Sequence, residues 1–322
     1  LPEPNPKFTV IVVAYNAART IRRCIETVLR QDYENKELII VDGGSTDGTA
    51  DILRGTADFI SYWVSEPDTG IYNAMNKGVD RATGDWIIFL GADDFLFADD
   101  VLSRVARLLG IRNGLSRLVY GKVAVLDQDG NIISHWGEGS NQTLGLPHQA
   151  TFHHKSFFEA HGRFDETFKI AGDHEMLLRE LKHREAEFFP EVVVSGFSVG
   201  GVSTALDSAP KYWLEYARAR RANDLFPYPP RWLRSFLTAL FFRCWGVLCG
   251  NGSTAKLRDQ YCSLRLKSPS GIEPKSRNHD PSRVSSFASA NAKRCVAQTD
   301  SDSQRAEIDG RLSITPPHAT TE

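Results

Sequence analysis

Cysteine is scarce and unpaired in this sequence. Five residues in 322 (Cys24, Cys244, Cys249, Cys262 and Cys295) make an odd number with no Cys-x-x-Cys step. This excludes a disulfide scaffold and a cysteine-built zinc site, and points to a reducing compartment. Excess charge of either sign is also lacking. With a net charge of −2, no basic field argues for nucleic acid as a partner. There is no Gly-x-x-x-x-Gly-Lys-Ser/Thr loop to cradle a triphosphate and no Gly-x-Gly-x-x-Gly dinucleotide fingerprint. No internal repeat is visible. Leu1 to Lys7 is polar and Pro-rich, without the apolar core of a signal peptide, so none is expected.

What is present is a chain long enough for one large α/β domain with appendages. Phe8 to Val13, Glu37 to Val41, Phe59 to Val64 and Trp86 to Leu90 are short apolar runs rich in β-branched and aromatic residues, the pattern of strands buried on both faces. Between them the period turns helical. From Ala17 the apolar positions are Ile21, Ile25, Val28 and Leu29; Asp47 is placed to cap a helix from Thr49 to Leu53; Ile71, Met75 and Val79 share one face of a helix over 71–82. Alternating strands and helices predict βαβ units and a parallel sheet covered on both faces.

The second half changes character. A helix is predicted from Asp99 to about Leu109, and Arg117 to Leu126 and Asn131 to Trp136 read as a hairpin around Asp127-Gln128-Asp129-Gly130. A short strand over Gln149 to His153, a short helix over Ser156 to Ala160, and an amphipathic helix after Asp173, which reads as its N-cap, follow. Phe188 to Val199 is mostly apolar and ends in a Gly200-Gly201 hinge; Tyr212 to Leu225 reads as a charged helix. From about Lys267 onward Ser, Pro, Arg and Asp dominate, predicting a disordered tail.

In an open parallel sheet, ligands bind beyond the carboxyl ends of the strands. Here those ends carry Asn16, Asp42, Asp68, and Asp93 with Asp94. Each is explicable singly as a turn former or cap; their convergence on one edge predicts a site. Adjacent carboxylates repel unless something cationic sits beside them. Oxygen ligands of this kind suit Mg²⁺ or Mn²⁺ rather than zinc. Such an ion completes its shell with water and phosphates, so the expected substrate is a nucleoside diphosphate joined to another group. Asp42 as acceptor for a base N–H suits uracil or guanine. His148, His153 and His154 invite a metal reading, but the adjacent pair points to opposite faces of a strand. All three are read instead as flanking an acceptor cleft.

The segments Val10-Ile11-Val12-Val13-Ala14-Tyr15-Asn16, Val41-Asp42-Gly43-Gly44-Ser45-Thr46-Asp47-Gly48-Thr49, Asn76-Lys77-Gly78 and Gly84 to Asp94, in this order, resemble the family 2 glycosyltransferases. Glu66-Pro67-Asp68-Thr69-Gly70-Ile71-Tyr72 and His148-Gln149 are similar to enzymes that build bacterial surface polysaccharides. The resemblance implies an α/β GT-A fold: a Rossmann-like, mostly parallel central sheet with helices on both faces, plus a helical C-terminal extension and a disordered tail. The expected division is a glycosyltransferase domain over 7–205 (nucleotide-sugar half 7–110, acceptor half 111–205), an extension over 206–262 and a tail over 263–322.

By the same resemblance, Ala14, Tyr15 and Asp42 hold the nucleoside, and Asn16, Asp68 and Asp93 complete the nucleotide-sugar site. Asp94 with Asp93 ligates Mg²⁺ or Mn²⁺, and Asp173 is the general base. Gly91 stands where many relatives carry an acid, which leaves the division of duties between Asp93 and Asp94 open. The implied activity is an inverting, metal-dependent glycosyltransferase taking a UDP- or GDP-sugar to a saccharide or lipid-linked acceptor. The rivals are an inactive nucleotide-sugar-binding scaffold and a sugar nucleotidyltransferase; the latter needs a Gly- and Arg-rich phosphate loop that Ala14-Tyr15-Asn16 does not offer. Trp232 to Cys249 is the most apolar segment, but Arg234 and Arg243 interrupt it, and a span needs about 20 apolar residues. An interfacial helix fits better, so the expected location is cytoplasmic, peripheral on the inner face of the cell membrane.

Overall fold

The computed structural model describes residues 5–112, 116–126, 130–137, 142, 145–198, 209–225 and seven positions between 233 and 244. Gly200-Gly201, most of the hairpin turn at 127–130, most of the 232–249 segment and the 263–322 tail lie outside the described residues.

Strands β1 (Phe8–Ala14), β2 (Lys36–Asp42), β3 (Tyr62–Ser65) and β4 (Trp86–Gly91) pair in parallel in the order β3-β2-β1-β4. Their apolar runs are buried on both sides because side chains alternate between two covered faces. Val10, Val12, Leu38, Ile40, Ile88 and Leu90 face helices α1 (Ile21–Leu29), α2 (Thr49–Gly55) and α4 (Val101–Arg112). Ile11, Val13, Ile39, Val41, Ile87 and Phe89 face α3 (Ile71–Arg81), α5 (Lys155–His161) and α6 (Gly172–Leu181).

Beyond β4 the sheet is mixed. It continues through β8 (Thr151–His154), β6 (Leu118–Leu126) and β9 (Glu187–Ser198) to the two-residue β5 (Phe95–Leu96), with β7 (Ile132–Trp136) forming the expected antiparallel hairpin with β6. β8 is antiparallel to β4, whereas β9 is parallel to β6. The parallel expectation therefore describes the first four strands.

Several boundaries differ from the sequence reading for local reasons. α1 begins at Ile21 because 17–20 form a hydrogen-bonded turn, with Thr20 N and Ile21 N both donating to Ala17 O. Residues Ala57–Phe59 form a 3-10 turn, so β3 starts only at Tyr62. The capping position of α2 is Gly48, at φ 98°, although Asp47 Oδ1 still accepts from Thr49 N at 3.1 Å. In α3 the buried stripe is Tyr72, Met75 and Val79, and Ile71 is exposed.

Helix α7 (Ala209–Ala222) is packed onto α6 and is no loose extension. Tyr216 stacks on His174 at 4.5 Å, Arg218 lies 3.5 Å over the Phe168 ring, and Asn223 reaches Glu175.

Gly78 marks the tightest helix–sheet approach in the parallel half. A Cβ there would meet Ile11 Cγ2 at 2.5 Å, inside a face that is already filled. Gly78→Ala is expected to destabilise the chain by about 1–3 kcal/mol, the usual penalty for overpacking. The measurement is a lower urea midpoint at unchanged m-value; an unaltered midpoint would mean that α3 shifts off the sheet freely.

Candidate active site

The parallel register levels the strand ends. Val13 pairs with Gly91, Ala14 with Asp42, and Asp42 with Ser65, so the loops after β1, β2, β3 and β4 leave the sheet side by side. The first two are stitched together. Asn16 takes a left-handed φ of 51°, which asparagine tolerates, and its side-chain oxygen accepts from Thr46 N at 3.0 Å. Ser45 Oγ accepts from Asn16 N at 2.7 Å, and Asp47 Oδ2 from Ala18 N at 2.9 Å. Tyr15, 69% exposed, projects from this frame.

Asp42 lies beneath the second loop. It has no exposed surface, and its carboxylate accepts from Ser45 N at 3.0 Å, Ser65 Oγ at 2.6 Å and Ser45 Oγ. A buried carboxylate needs such donors. It is therefore the post on which the 43–47 loop is built. Asp68, by contrast, is partly exposed. One oxygen accepts from Gly70 N at 2.9 Å, and the other lies so near the Gly43 α-carbon that a Cβ there would meet it at 2.5 Å.

At the end of β4 the two carboxylates crowd Gly91. A Cβ on Gly91 would meet Asp93 Oδ1 at 2.8 Å and Asp94 Oδ2 at 3.2 Å. The missing side chain at 91 is what lets both acids close in. Asp94 Oδ2 accepts from Gly91 N at 2.9 Å, while Asp93 is exposed. Arg23 lies 4.2 Å over the Phe95 ring and donates to the Asp93 carbonyl at 3.1 Å. Burial and then the Asp93 charge push the Asp94 carboxyl up to about 7, against the pull of the Gly91 N–H and Arg23.

Among the described residues no three His, Cys, Asp or Glu side chains are grouped to hold a metal. The residues present still fit Mg²⁺ or Mn²⁺. Such ions are bound through one or two carboxylates, with water and substrate phosphates filling the shell, and the crowded Asp93–Asp94 pair lacks a lysine or arginine ion pair among the described residues.

Asp173 sits inside the first turn of α6. The N-cap is Ala171, so the expected capping role falls elsewhere. Ahead of the helix, Glu215 of α7 fixes the approaching segment, accepting from Lys169 N at 2.9 Å, Ile170 N at 2.8 Å and Ala171 N at 3.0 Å. Asp173 Oδ1 accepts from the Tyr72 hydroxyl at 3.1 Å. Burial and then the Asp173 charge raise the Tyr72 phenol well above its ordinary range, and the same two causes raise Tyr212. Burial lowers His148 and brings His174 down to about 4, while Asp173 pulls both the other way. The carboxylate is thus surrounded by neutral groups.

The three histidines divide. His153 is buried beside Ile87 O, His154 bonds Ser156 and packs on Trp86, and His148 stacks on Phe89 with both ring nitrogens unpartnered. Sequence reasoning missed Glu215, Gly172, Ser65 and Arg23, whose partners lie from 23 residues away, for Ser65, to the Tyr72 ring against Gly172, and leave no periodic trace.

The sequence profile of Glycosyl transferase family 2 matches residues 9–151. A PGL/p-HBAD biosynthesis glycosyltransferase of Mycobacterium bovis is 33% identical over 211 residues, covering 62% of this chain and 80% of that protein. An uncharacterized glycosyltransferase of Mycobacterium tuberculosis is 31% identical over 196 residues, covering 54% and 68%. Among solved structures, Staphylococcus aureus TarS in complex with UDP-GlcNAc superposes with a TM-score of 0.57 at 18% identity, covering 73% of this chain and 72% of that one. The mannosyltransferase PcManGT from Pyrobaculum calidifontis, in complex with GDP-Man and Mn²⁺, gives 0.53 at 20% identity, covering 84% of each. At these identities the two structures share the GT-A fold with this chain.

Asp94 generates a prediction for the metal-free chain. Its carboxyl titrates near 7 when folded against an ordinary 3.8, so the folded state holds a proton that the unfolded state has released. Stability from this group is therefore lost as pH rises from about 4 to 7. Asp94→Asn should raise the melting temperature at pH 8, with the gain vanishing near pH 4. Mn²⁺ should then stabilise the wild type and leave the variant unmoved. A variant stabilised equally by Mn²⁺ would remove Asp94 from the metal site.

Proposed function

The chain belongs to glycosyl transferase family 2, and from that premise we propose that it is an inverting, metal-dependent glycosyltransferase. It moves a sugar from a nucleoside-diphosphate sugar to an acceptor hydroxyl in polysaccharide or glycolipid biosynthesis. The observation that carries the reading is the Asp173 carboxylate: partly exposed, in the first turn of a helix, bonded to a neutral phenol and paired with no cation among the described residues. Such a carboxylate is free to take a proton.

In this reading Asp173 accepts the proton of the acceptor hydroxyl as that oxygen attacks the anomeric carbon. The bond from the anomeric carbon to the diphosphate breaks on the opposite side, and its electron pair leaves with the diphosphate. One displacement inverts the configuration. Asp94 and Asp93 would hold a divalent cation, and neutralising the departing diphosphate is the chemistry that it supplies when bound. Asp94, tied to Gly91 N, would ligate the cation, with Asp93 reaching the cation or the ribose. Tyr15 offers a ring face to the base, Ala14 and Asn16 shape the loop beneath it, and Asp42 acts through the Ser45 turn. Asp68 is the carboxylate left at the surface for the nucleotide sugar. TarS holds UDP-GlcNAc and PcManGT holds GDP-Man with Mn²⁺, which supports a donor of the UDP or GDP type.

Asp173→Asn should leave donor binding intact, as read by thermal shift with UDP-GlcNAc and GDP-mannose, and lower turnover on the order of 10²-fold or more. Normal turnover with only a lower melting temperature would reduce Asp173 to a structural residue.

A lipid-linked acceptor would place the enzyme at a membrane surface. No helix among the described residues is long and apolar enough to cross a membrane. Leu233, Leu237, Leu240 and Phe241 are nonetheless exposed at helical spacing, the stripe of an interfacial helix, and the sequence of the same segment carries Arg234 and Arg243 as candidates for anionic headgroups. The full chain is expected to float with phosphatidylglycerol vesicles and a Leu237→Asp, Phe241→Asp variant to float several-fold less. Equal flotation of the two would return this stripe to an internal contact.

A further inference from the structure

We propose that Tyr72 is a positioning residue: its hydroxyl orients the Asp173 carboxylate through one oxygen and leaves the other for the acceptor. The inference rests on the reading of Asp173 as the base. Tyr72 is 3% exposed in the first turn of α3. Its ring is stacked on Phe164 with centroids 5.8 Å apart, and its other side lies against the backbone at the start of α6. A Cβ on Gly172 would meet the ring at 2.7–2.9 Å, so residue 172 is a glycine because the ring occupies the space. A ring fixed on both sides has one place for its hydroxyl, and that place is 3.1 Å from Asp173 Oδ1. A purely apolar role would be filled by phenylalanine, since a buried phenol needs a partner.

The hydroxyl is also a fixed reference, because α3 is bolted to the segment leading into α6. Asn76 donates to Phe164 O at 3.0 Å and to Glu166 Oε1 at 2.9 Å, and accepts from Phe164 N at 2.9 Å. Asn73 donates to Glu166 Oε2 at 3.0 Å, and Lys169 to Thr69 O at 2.9 Å. The 66–72 segment, which carries Asp68, thus shares one rigid frame with the base. The other titratable groups that feel Asp173 are His148 ahead of β8, His174 on its own helix and Tyr212 on α7, with Arg220 beyond His174. Of these, only Tyr72 makes a direct hydrogen bond to the carboxylate among the described residues.

The test is Tyr72→Phe in the full chain, which keeps the ring and removes one charge-assisted bond. With aspartate labelled by carboxyl ¹³C and the Asp173 signal identified by its loss in Asp173→Asn, the midpoint of that signal should move to higher pH in the variant than in the wild type, because a bond to the charged form is lost. Gly172→Ala, which displaces the ring, should move it the same way. UDP and GDP release from UDP-GlcNAc and GDP-mannose with Mn²⁺ should show kcat lower on the order of 10-fold, the acid limb at higher pH and donor KM unchanged. An unshifted midpoint in Tyr72→Phe, or a lowered melting temperature alone, overturns the positioning role while a slow Asp173→Asn keeps the base. Wild-type turnover in Asp173→Asn would sink both.

Discussion

Everything at the candidate site depends on the parallel register of β1 with β2 and β4. That register pairs Ala14 with Asp42 and Val13 with Gly91, so three separate stretches of sequence end at one level. The pairing is strongly specified because both faces are buried: a one-residue slip would exchange Val10 and Val12 with Ile11 and Val13 across two differently shaped layers. With the strand ends level, polar residues that follow each apolar run have nowhere to go but a common edge. Asp42 then turns inward to organise a loop, while Asp68, Asp93 and Asp94 remain toward solvent.

The Asp173 carboxylate is held by a different device. α6 lacks a side-chain cap of its own, and the three amides ahead of it are met by Glu215 from α7. Three amides bonded to one carboxylate fix the segment that leads into the helix, residues 169–171. The start of α6 therefore depends on a helix that the sequence suggested was an appendage. Asp173 is freed from capping, which would have engaged its oxygens with backbone amides and left less of the carboxylate for a substrate.

Much of this was legible in the sequence, and the reason lies in what leaves a period. The buried strands, the helical stripes of α1 and α4 and the β6–β7 hairpin were visible because burial on a regular element repeats at two or at 3.6 residues. Asp93, Asp94 and Asp68 were visible because they follow such runs directly. The helix start at Ile21, the 3-10 turn before β3 and the cap at Gly48 were not, since short-range backbone bonds with no side-chain signature decide them. Glu215, Gly172 and the Tyr72–Asp173 bond were hidden for another reason. Each acquires meaning only when α3, α6 and α7 meet, and Tyr72 to Asp173 alone spans 101 positions. The phase of α3 was misread for the same cause: Ile71 and Tyr72 are equally apolar in a periodic count, and only Phe164 and Gly172 decide which of them turns inward.

The crowding at Gly91 shows how the site meets two opposing demands. Two carboxylates drawn together on one glycine, one of them half out of water, form an arrangement that disfavours full ionisation, and Asp94 accordingly keeps its proton up to about pH 7. A divalent cation in the proposed role would have to replace that proton, which makes its binding pH-dependent. A side chain on residue 91 would push Asp93 and Asp94 apart, easing the repulsion and weakening the attraction together. The pair can act as one cation-binding unit although neither residue has a third carboxylate beside it.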